Sequence, residues 1–284
     1  MLPTFIVIGA RKSGTSSLWR YMASHPEVFV PAEEKEPKYF VEERGWTLGR
    51  EWYEELFADA GQARARGEFS TDYSVFPLYA GVPKRMAALV PDAKLIYLMR
   101  DPIEHMRSAY EYSLWLGTEA RPIRDALLLD ARYLYECSYA LQIAQYLTCF
   151  PLAQMLLLTA EDLRRHRKDT LRSIFSFVGV DAEWTPTNLD EEFNSASGRT
   201  IPRPWARKAG DMIIRSRLAQ HIPARVSDRV ESASQGPMFR RRILPAEVAI
   251  DDDLRQRLVG FLRWDLEQLR QWMGPTFHCW GYLD

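Results

Sequence analysis

The chain has 284 residues, a formal net charge of −1 and 46% hydrophobic residues, enough apolar side chains to fill one large α/β domain. With neither a basic field nor an acidic tail, it is not a nucleic-acid binder that works through bulk electrostatics. Cys137, Cys149 and Cys279, and the five histidines at 25, 105, 166, 221 and 278, show no metal-ligand spacing, so a zinc site and a disulfide framework are not expected and a reducing cytoplasm is. The first apolar run begins a few residues after Met1, with no room for a signal peptide or anchor before it. No later run approaches ~18 apolar residues, so the chain reads as soluble, without a transmembrane segment.

The first element is FIVIGARKSGTSSL, Phe5 to Leu18. An apolar run, Phe5 to Ile8, breaks at Gly9, passes a small polar turn with Lys12 and Gly14, and resumes as a helical pattern through Leu18, Tyr21 and Met22. Strand, glycine-bearing loop and helix N-terminus together suit an anion. The glycines let backbone N–H groups approach a ligand, the new helix offers unsatisfied N–H groups and its dipole, and Lys12 adds a charge. The hydroxyls of Ser13, Thr15, Ser16 and Ser17 add neutral donors. A plain Gly/Ser-rich turn would carry the same composition. A nucleoside-triphosphate loop would close on Gly-Lys-Ser/Thr, but here Lys12 precedes Gly14. The spelling Gly-x-x-Lys-x-Gly-Thr-Ser-x-Leu instead resembles the 5′-phosphosulfate loop of sulfotransferases that use 3′-phosphoadenosine 5′-phosphosulfate (PAPS). That resemblance implies a P-loop-type three-layer α/β fold, a central parallel sheet flanked by helices, with PAPS as donor, adenosine 3′,5′-bisphosphate (PAP) as product, and no metal required.

After a helix ending near His25-Pro26, Val28 to Val30 reads as a short strand. The next loop, PAEEKEPKYF, Pro31 to Phe40, packs three glutamates and two lysines beside the anion-binding element. Such a charge run is ordinarily a solvated surface. It also resembles the Glu-x-x-[Phe/Tyr]-Phe loop of the sulfotransferases acting on heparan sulfate, which implies Glu36 as catalytic base, with Glu33 and Glu34 close beside it. Trp46 to Ala58 reads as a short amphipathic helix whose aromatic stripe is core. Gly67 to Tyr73, GEFSTDY, resembles the family's Glu-Lys-[Ser/Thr]-x-x-Tyr strand and turn, with Phe69 in place of the lysine. Either another cation such as Lys38 covers that role, or the acceptor side is more apolar; Lys38, Phe69 and Tyr73 are thus expected near the substrate.

Gly81 to Val90 reads as a helix and KLIYLM, Lys94 to Met99, as a strand buried in a parallel sheet. It ends in Arg100-Asp101-Pro102, and a helix with Pro102 in its first turn follows. An arginine at a strand end is often a surface ion-pair partner. It also points into the crevice where open α/β sheets bind ligands. Arg-Asp-Pro with Ser108 resembles the family's 3′-phosphate site, which implies Arg100 and Ser108 as donor-binding residues. Tyr133 to Phe150 reads as one long helix, Gln154 to Leu158 as a strand, and Thr170 to Val178 as a helix. YALQIAQYLTCFPLAQMLLLTAEDL again resembles the family, with Tyr139 nearest the nucleotide or acceptor.

Thr185 to Pro245 is rich in proline and arginine and reads as a basic, mobile lid or substrate segment of a single sulfotransferase domain spanning 1–284. Ser197-Gly198-Arg199 stands where relatives carry Lys-Gly-Arg, so Arg199 alone is carried over to the 3′-phosphate. A solvated basic surface is the plainer reading. Met212 to Ile222, amphipathic and basic, would alternatively make a peripheral contact with membrane or an acidic acceptor. Asp251 to Trp272 reads as a helix packed on the sheet.

The resemblance implies an enzyme in which Glu36 takes a proton from an acceptor hydroxyl or amine while Lys12 and the loop stabilise the leaving phosphate. Sugar, lipid, peptide and small phenol acceptors are all compatible. The alternatives are a P-loop kinase or other phosphotransferase with Asp101 holding magnesium, and a non-catalytic phosphonucleotide-binding module.

Overall fold

Five strands alternate with helices along the first 160 residues, and in the computed structural model they pair side by side in parallel. The structure describes residues 1–187, 189, 200–203 and 240–283. The strands are β1 (Phe5–Gly9), β2 (Val28–Phe29), β3 (Ala65–Phe69), β4 (Lys94–Met99) and β5 (Met155–Thr159), in the order β2-β3-β1-β4-β5. β1 and β4 are apolar runs because both faces of the sheet are covered. Ile6 and Ile8 enter one buried cluster while Phe5 and Val7 enter another; along β4, Leu95, Tyr97 and Met99 part from Ile96 and Leu98 in the same way.

One face carries α1 (Thr15–Ala23) and α9 (Arg167–Val178), through Leu18, Tyr21, Leu171, Ile174 and Phe175. The other carries α3 (Val82–Leu89), α4 (Pro102–Leu116), α5 (Ile123–Leu129), α6 (Ala131–Cys137), α7 (Tyr139–Leu147) and the long α10 (Asp252–Met273). α10 buries Leu254, Leu258, Leu262, Leu266 and Leu269, a spacing of three and four residues. The result is the three-layer α/β/α arrangement expected from the motifs. α2 (Gly49–Glu55) adds Tyr53 to this second face, and α8 (Ala160–Arg165) follows β5 directly.

Two expected helices are broken. The pattern over 133–150 divides at Ser138, whose φ of −78° and ψ of 78° are not helical and whose hydroxyl donates to Leu134 O at 2.9 Å. The freed N-terminus of α7 is capped from a distance: Asp265 on α10 accepts from Ala140 N at 3.0 Å and Leu141 N at 2.8 Å. The stretch 46–58 divides into a 3₁₀ turn at Trp46–Leu48, α2, and the start of a second turn at Ala58–Ala60. Its aromatics have a local purpose. Tyr39 lies flat on Tyr53, centroids 4.1 Å apart and planes within 4°, and Phe40 meets the same ring edge-on at 5.4 Å. The charged loop at 31–40 is thereby nailed to the core through its last two residues.

Most of the basic stretch 185–245 lies outside the described residues. Its described ends form a two-stranded antiparallel ribbon, β6 (Thr200–Pro202) with β7 (Arg240–Arg242), and Arg240 Nη2 donates to Trp115 O at 3.3 Å near the end of α4. No helix among the described residues is long and apolar enough to cross a membrane.

Candidate active site

A cleft of about 1110 Å³ opens at the C-terminal ends of β1, β3 and β4, large enough for a nucleotide and part of an acceptor. Its floor is the loop between β1 and α1. Gly9 has to be glycine because a Cβ there would come within 2.0 Å of Ser74 Oγ and 3.0 Å of the Tyr97 ring. Gly14 caps α1 at φ 94°, a left-handed conformation that disfavours any side chain. Between them Lys12, also at positive φ (60°), sends its ammonium over the Tyr112 ring at 4.2 Å. Lys12, Ser13, Gly14, Thr15, Ser16 and Ser17 all line the cleft.

Arg100, at the end of β4, lines the same cleft with Ser108 from α4. Its guanidinium donates to Lys12 O at 3.3 Å, joining positions 88 residues apart. Asp101 is occupied otherwise. Its carboxylate caps α4 through Ile103 N and Glu104 N, at 2.8 and 3.2 Å, and accepts from Tyr282 OH at about the same range, 2.9 and 3.0 Å. A carboxylate spent on a helix cap does not favour the magnesium-binding phosphotransferase alternative. No His/Cys/Asp/Glu group fit for a metal occurs among the described residues.

From Arg11 of the loop between β1 and α1 runs a chain of alternating charge that sequence alone did not reveal. Glu136 on α6 accepts from Arg11 at 2.8 Å, Arg11 grips Asp72 at 2.5 Å, and Lys38 Nζ lies 3.1 Å from the other Asp72 oxygen and 3.8 Å from Glu36. Glu36 also accepts from Thr71 Oγ1 at 3.3 Å. Glu33 and Glu34 are exposed. Lys38 holds its place by backbone: φ is 51°, and its N–H donates to Ser70 Oγ at 2.9 Å. Arg11 and Lys38 hold the Asp72 carboxyl below its ordinary pKa against the opposing effect of burial, which is the largest influence on it.

Three expected substrate residues lie elsewhere. Phe69 is fully buried and meets Phe5 edge-on at 6.4 Å on the α1 face of the sheet, because β-strand alternation turns it away from the cleft. Tyr73 is buried behind the charged loop, its hydroxyl accepting from Phe40 N at 3.3 Å. Tyr139 does not line the cleft either. Its hydroxyl brackets the Arg100 peptide and meets His105 Nδ1 at 3.0 Å, so it supports Arg100 from beneath. Arg199 lies outside the described residues. Arg132, Arg164 and Arg167 line the cleft unforeseen, since lone arginines on helices carry no motif.

The residues present fit an adenosine bisphosphate. A cradle of N–H groups and hydroxyls with Lys12 stands at one point, and a bidentate-capable guanidinium with a hydroxyl at another. Fold and cleft together define a three-layer α/β domain with an anion-binding cleft at the C-terminal ends of its parallel strands.

A family model described as the sulfotransferase domain matches residues 2–200, and the chain belongs to that family. Over 188 residues it is 30% identical to mouse heparan sulfate glucosamine 3-O-sulfotransferase 3A1, covering 63% of this chain and 46% of that protein. Over 198 residues it is 29% identical to human bifunctional heparan sulfate N-deacetylase/N-sulfotransferase 3, covering 63% of this chain and 22% of that one. The chain thus spans less than half the length of these relatives. A solved sulfotransferase from Alicyclobacillus acidocaldarius superposes with a TM-score of 0.70 over 99% of both chains at 23% identity, a likeness of fold.

Proposed function

We propose that the protein transfers a sulfuryl group from PAPS to a hydroxyl or amine, with Glu36 as general base. The observation that carries this reading is the convergence of the Lys12 loop, Arg100 and Glu36 on one cleft from three separate segments of chain. In it, Lys12, the N–H groups of the α1 N-terminus and the hydroxyls of Ser13, Thr15, Ser16 and Ser17 hold the 5′-phosphosulfate. Arg100 and Ser108 hold the 3′-phosphate, joined by Arg199 from the basic segment. Glu36 removes the acceptor proton as the acceptor attacks sulfur. Lys12 and the loop donors stabilise charge on the departing phosphate, where preorganised donors act most strongly. A sulfuryl group carries less charge than a terminal phosphoryl, so the reaction proceeds without a metal.

The acceptor class is a sugar, lipid or other small molecule. Relatives named for heparan sulfate favour a sugar, and because one is an O- and another an N-sulfotransferase, their names do not choose the acceptor atom. Residues 1–284 act as one domain in which about 185–245 forms a lid or substrate segment, supported by the ribbon that ties its two ends near the end of α4. Three free cysteines are consistent with a cytoplasmic setting.

Thermal-shift titration with PAP and with ATP plus magnesium tests the donor. A ligand at ~100 Kd stabilises by ~2.7 kcal/mol, and PAP should exceed ATP at equal concentration. A larger shift with magnesium-ATP overturns the reading. Incubation of PAPS with acceptor extracts, with mass detection of the sulfated product, then identifies the acceptor.

A further inference from the structure

Lys35 has no part in the reading above, yet it reaches the anion-binding loop. Its ammonium donates to Ser16 Oγ at 2.6 Å, and Ser16 lies in the first turn of α1 and lines the cleft. Among the described residues no carboxylate is ion-paired with it, because its neighbour Glu36 faces Lys38 and Thr71 instead. Lys35 is half-buried; burial lowers its pKa below the ordinary lysine value, and the nearby Glu36 charge opposes that pull. An ammonium has three protons to donate, and Ser16 accounts for one. Partial desolvation of a charge held only by a neutral hydroxyl costs free energy that an incoming anion recovers. The other lysine of the same loop, Lys38, is already engaged by Asp72 and Glu36.

The position of Phe69 sharpens the point. Phe69 of β3 is sealed in the core, so this strand offers no cation at that position. We propose that Lys35 is a donor-binding residue whose ammonium, directed by Ser16, takes the 5′-phosphate of the nucleotide together with Lys12 and the α1 N-terminus. This rests on the donor reading above and adds to it a residue, and a segment of chain, that the loop motif does not contain. It also makes neighbouring residues serve the two substrates, Lys35 the donor and Glu36 the acceptor.

Calorimetric titration of the full chain with PAP and with adenosine 3′-phosphate, which lacks the 5′ group, separates the possibilities. Lys35→Met should weaken PAP by about 10- to 100-fold, the loss expected for one charge-assisted contact. It should leave adenosine 3′-phosphate within about twofold, since Arg100 and Ser108 are untouched. Lys35→Arg, which keeps the charge, should retain most of the PAP affinity. Thermal melting of each variant confirms that the fold is intact. If Lys35→Met weakens both ligands equally or neither, or if Lys35→Arg loses as much as Lys35→Met, the assignment is wrong while the donor reading stands. If the wild-type chain prefers magnesium-ATP to PAP, both fall together.

Discussion

The Tyr139 hydroxyl clasps the Arg100 peptide from both sides, accepting from its N–H at 3.3 Å and donating to its carbonyl at 2.8 Å. Arg100 lies between the end of β4 and Asp101, the cap of helix α4, where the chain turns from strand to helix and the guanidinium lines the cleft. Tyr139→Phe keeps the ring but strips this clasp and the contact with His105. It should cost about 1 to 3 kcal/mol in denaturant unfolding, the range for orphaning a buried partner. PAP affinity should fall as well, with kcat at saturating donor nearly unchanged. A variant that loses stability but binds PAP like wild type would separate Tyr139 from the orientation of Arg100.

Arg100→Ala removes the guanidinium itself. The 3′-phosphate it would bind does not change during transfer, so ground and transition states lose equally and the effect belongs in donor KM. The expected rise corresponds to ~1.5 to 3 kcal/mol, the worth of a hydrogen bond to a charged group. Steady-state kinetics with varied PAPS checks this. A large fall in kcat with unchanged donor KM would move Arg100 into the chemistry.

Glu36→Gln preserves shape and reach but not proton acceptance. A general base contributes roughly 10² to 10⁴ in rate, so kcat should fall by that range while PAP binds normally. Glu33→Gln and Glu34→Gln, on exposed carboxylates, should do little. Normal turnover by Glu36→Gln, with an acceptor in hand, would remove it from the mechanism.

Asp72 joins Arg11 to Lys38 and is almost wholly buried. Asp72→Ala leaves two partly exposed cations facing each other, Arg11 still held by Glu136, and the loss of these charge-assisted contacts should cost about 1.5 to 3 kcal/mol. The melting temperature should drop, and activity should fall further than stability alone requires because Lys38 loses its tether beside Glu36. An unchanged melting curve would show that Arg11 is held by Glu136 alone.

Glu68 gives the fold a pH dependence. Fully buried beside the hydroxyls of Tyr53 and Tyr73, it is pushed by desolvation from an ordinary value of 4.5 up to about 8. Between those values the folded chain holds a proton that the unfolded chain releases. Stability therefore falls as pH rises through that window, by at most about 1.4 kcal/mol per unit from this group. Glu68→Gln should remove that contribution, so the difference in unfolding free energy between the variants should grow with pH. A difference independent of pH would mean that Glu68 titrates alike in both states.

Much of this protein is legible locally. A strand, a glycine-bearing loop and a helix start are contiguous, so the anion site at Lys12 to Ser17 is written in neighbouring residues. The β4 run followed by Arg100-Asp101-Pro102 announces a strand end and a helix cap in the same way. Glu36 stands out among three glutamates through the family's loop form, not through local pattern. Tertiary structure decided whatever depends on which face of an element meets which neighbour. Phe69 and Glu68 are adjacent, yet the pleat sends one to the α1 face and the other towards Tyr53 and Tyr73, and composition does not state which side is the cleft. The helical pattern from 133 to 150 runs on through Ser138, but the cap supplied by Asp265, more than 120 residues away, favours a new helix start there. Arg11 is an unremarkable loop residue until folding sets Asp72 and Glu136 on either side of it, 61 and 125 positions distant. Backbone propensity and apolar periodicity act over a few residues and can be read in order. Ion pairs and burial act through space, and only the closed fold fixes which charges share it.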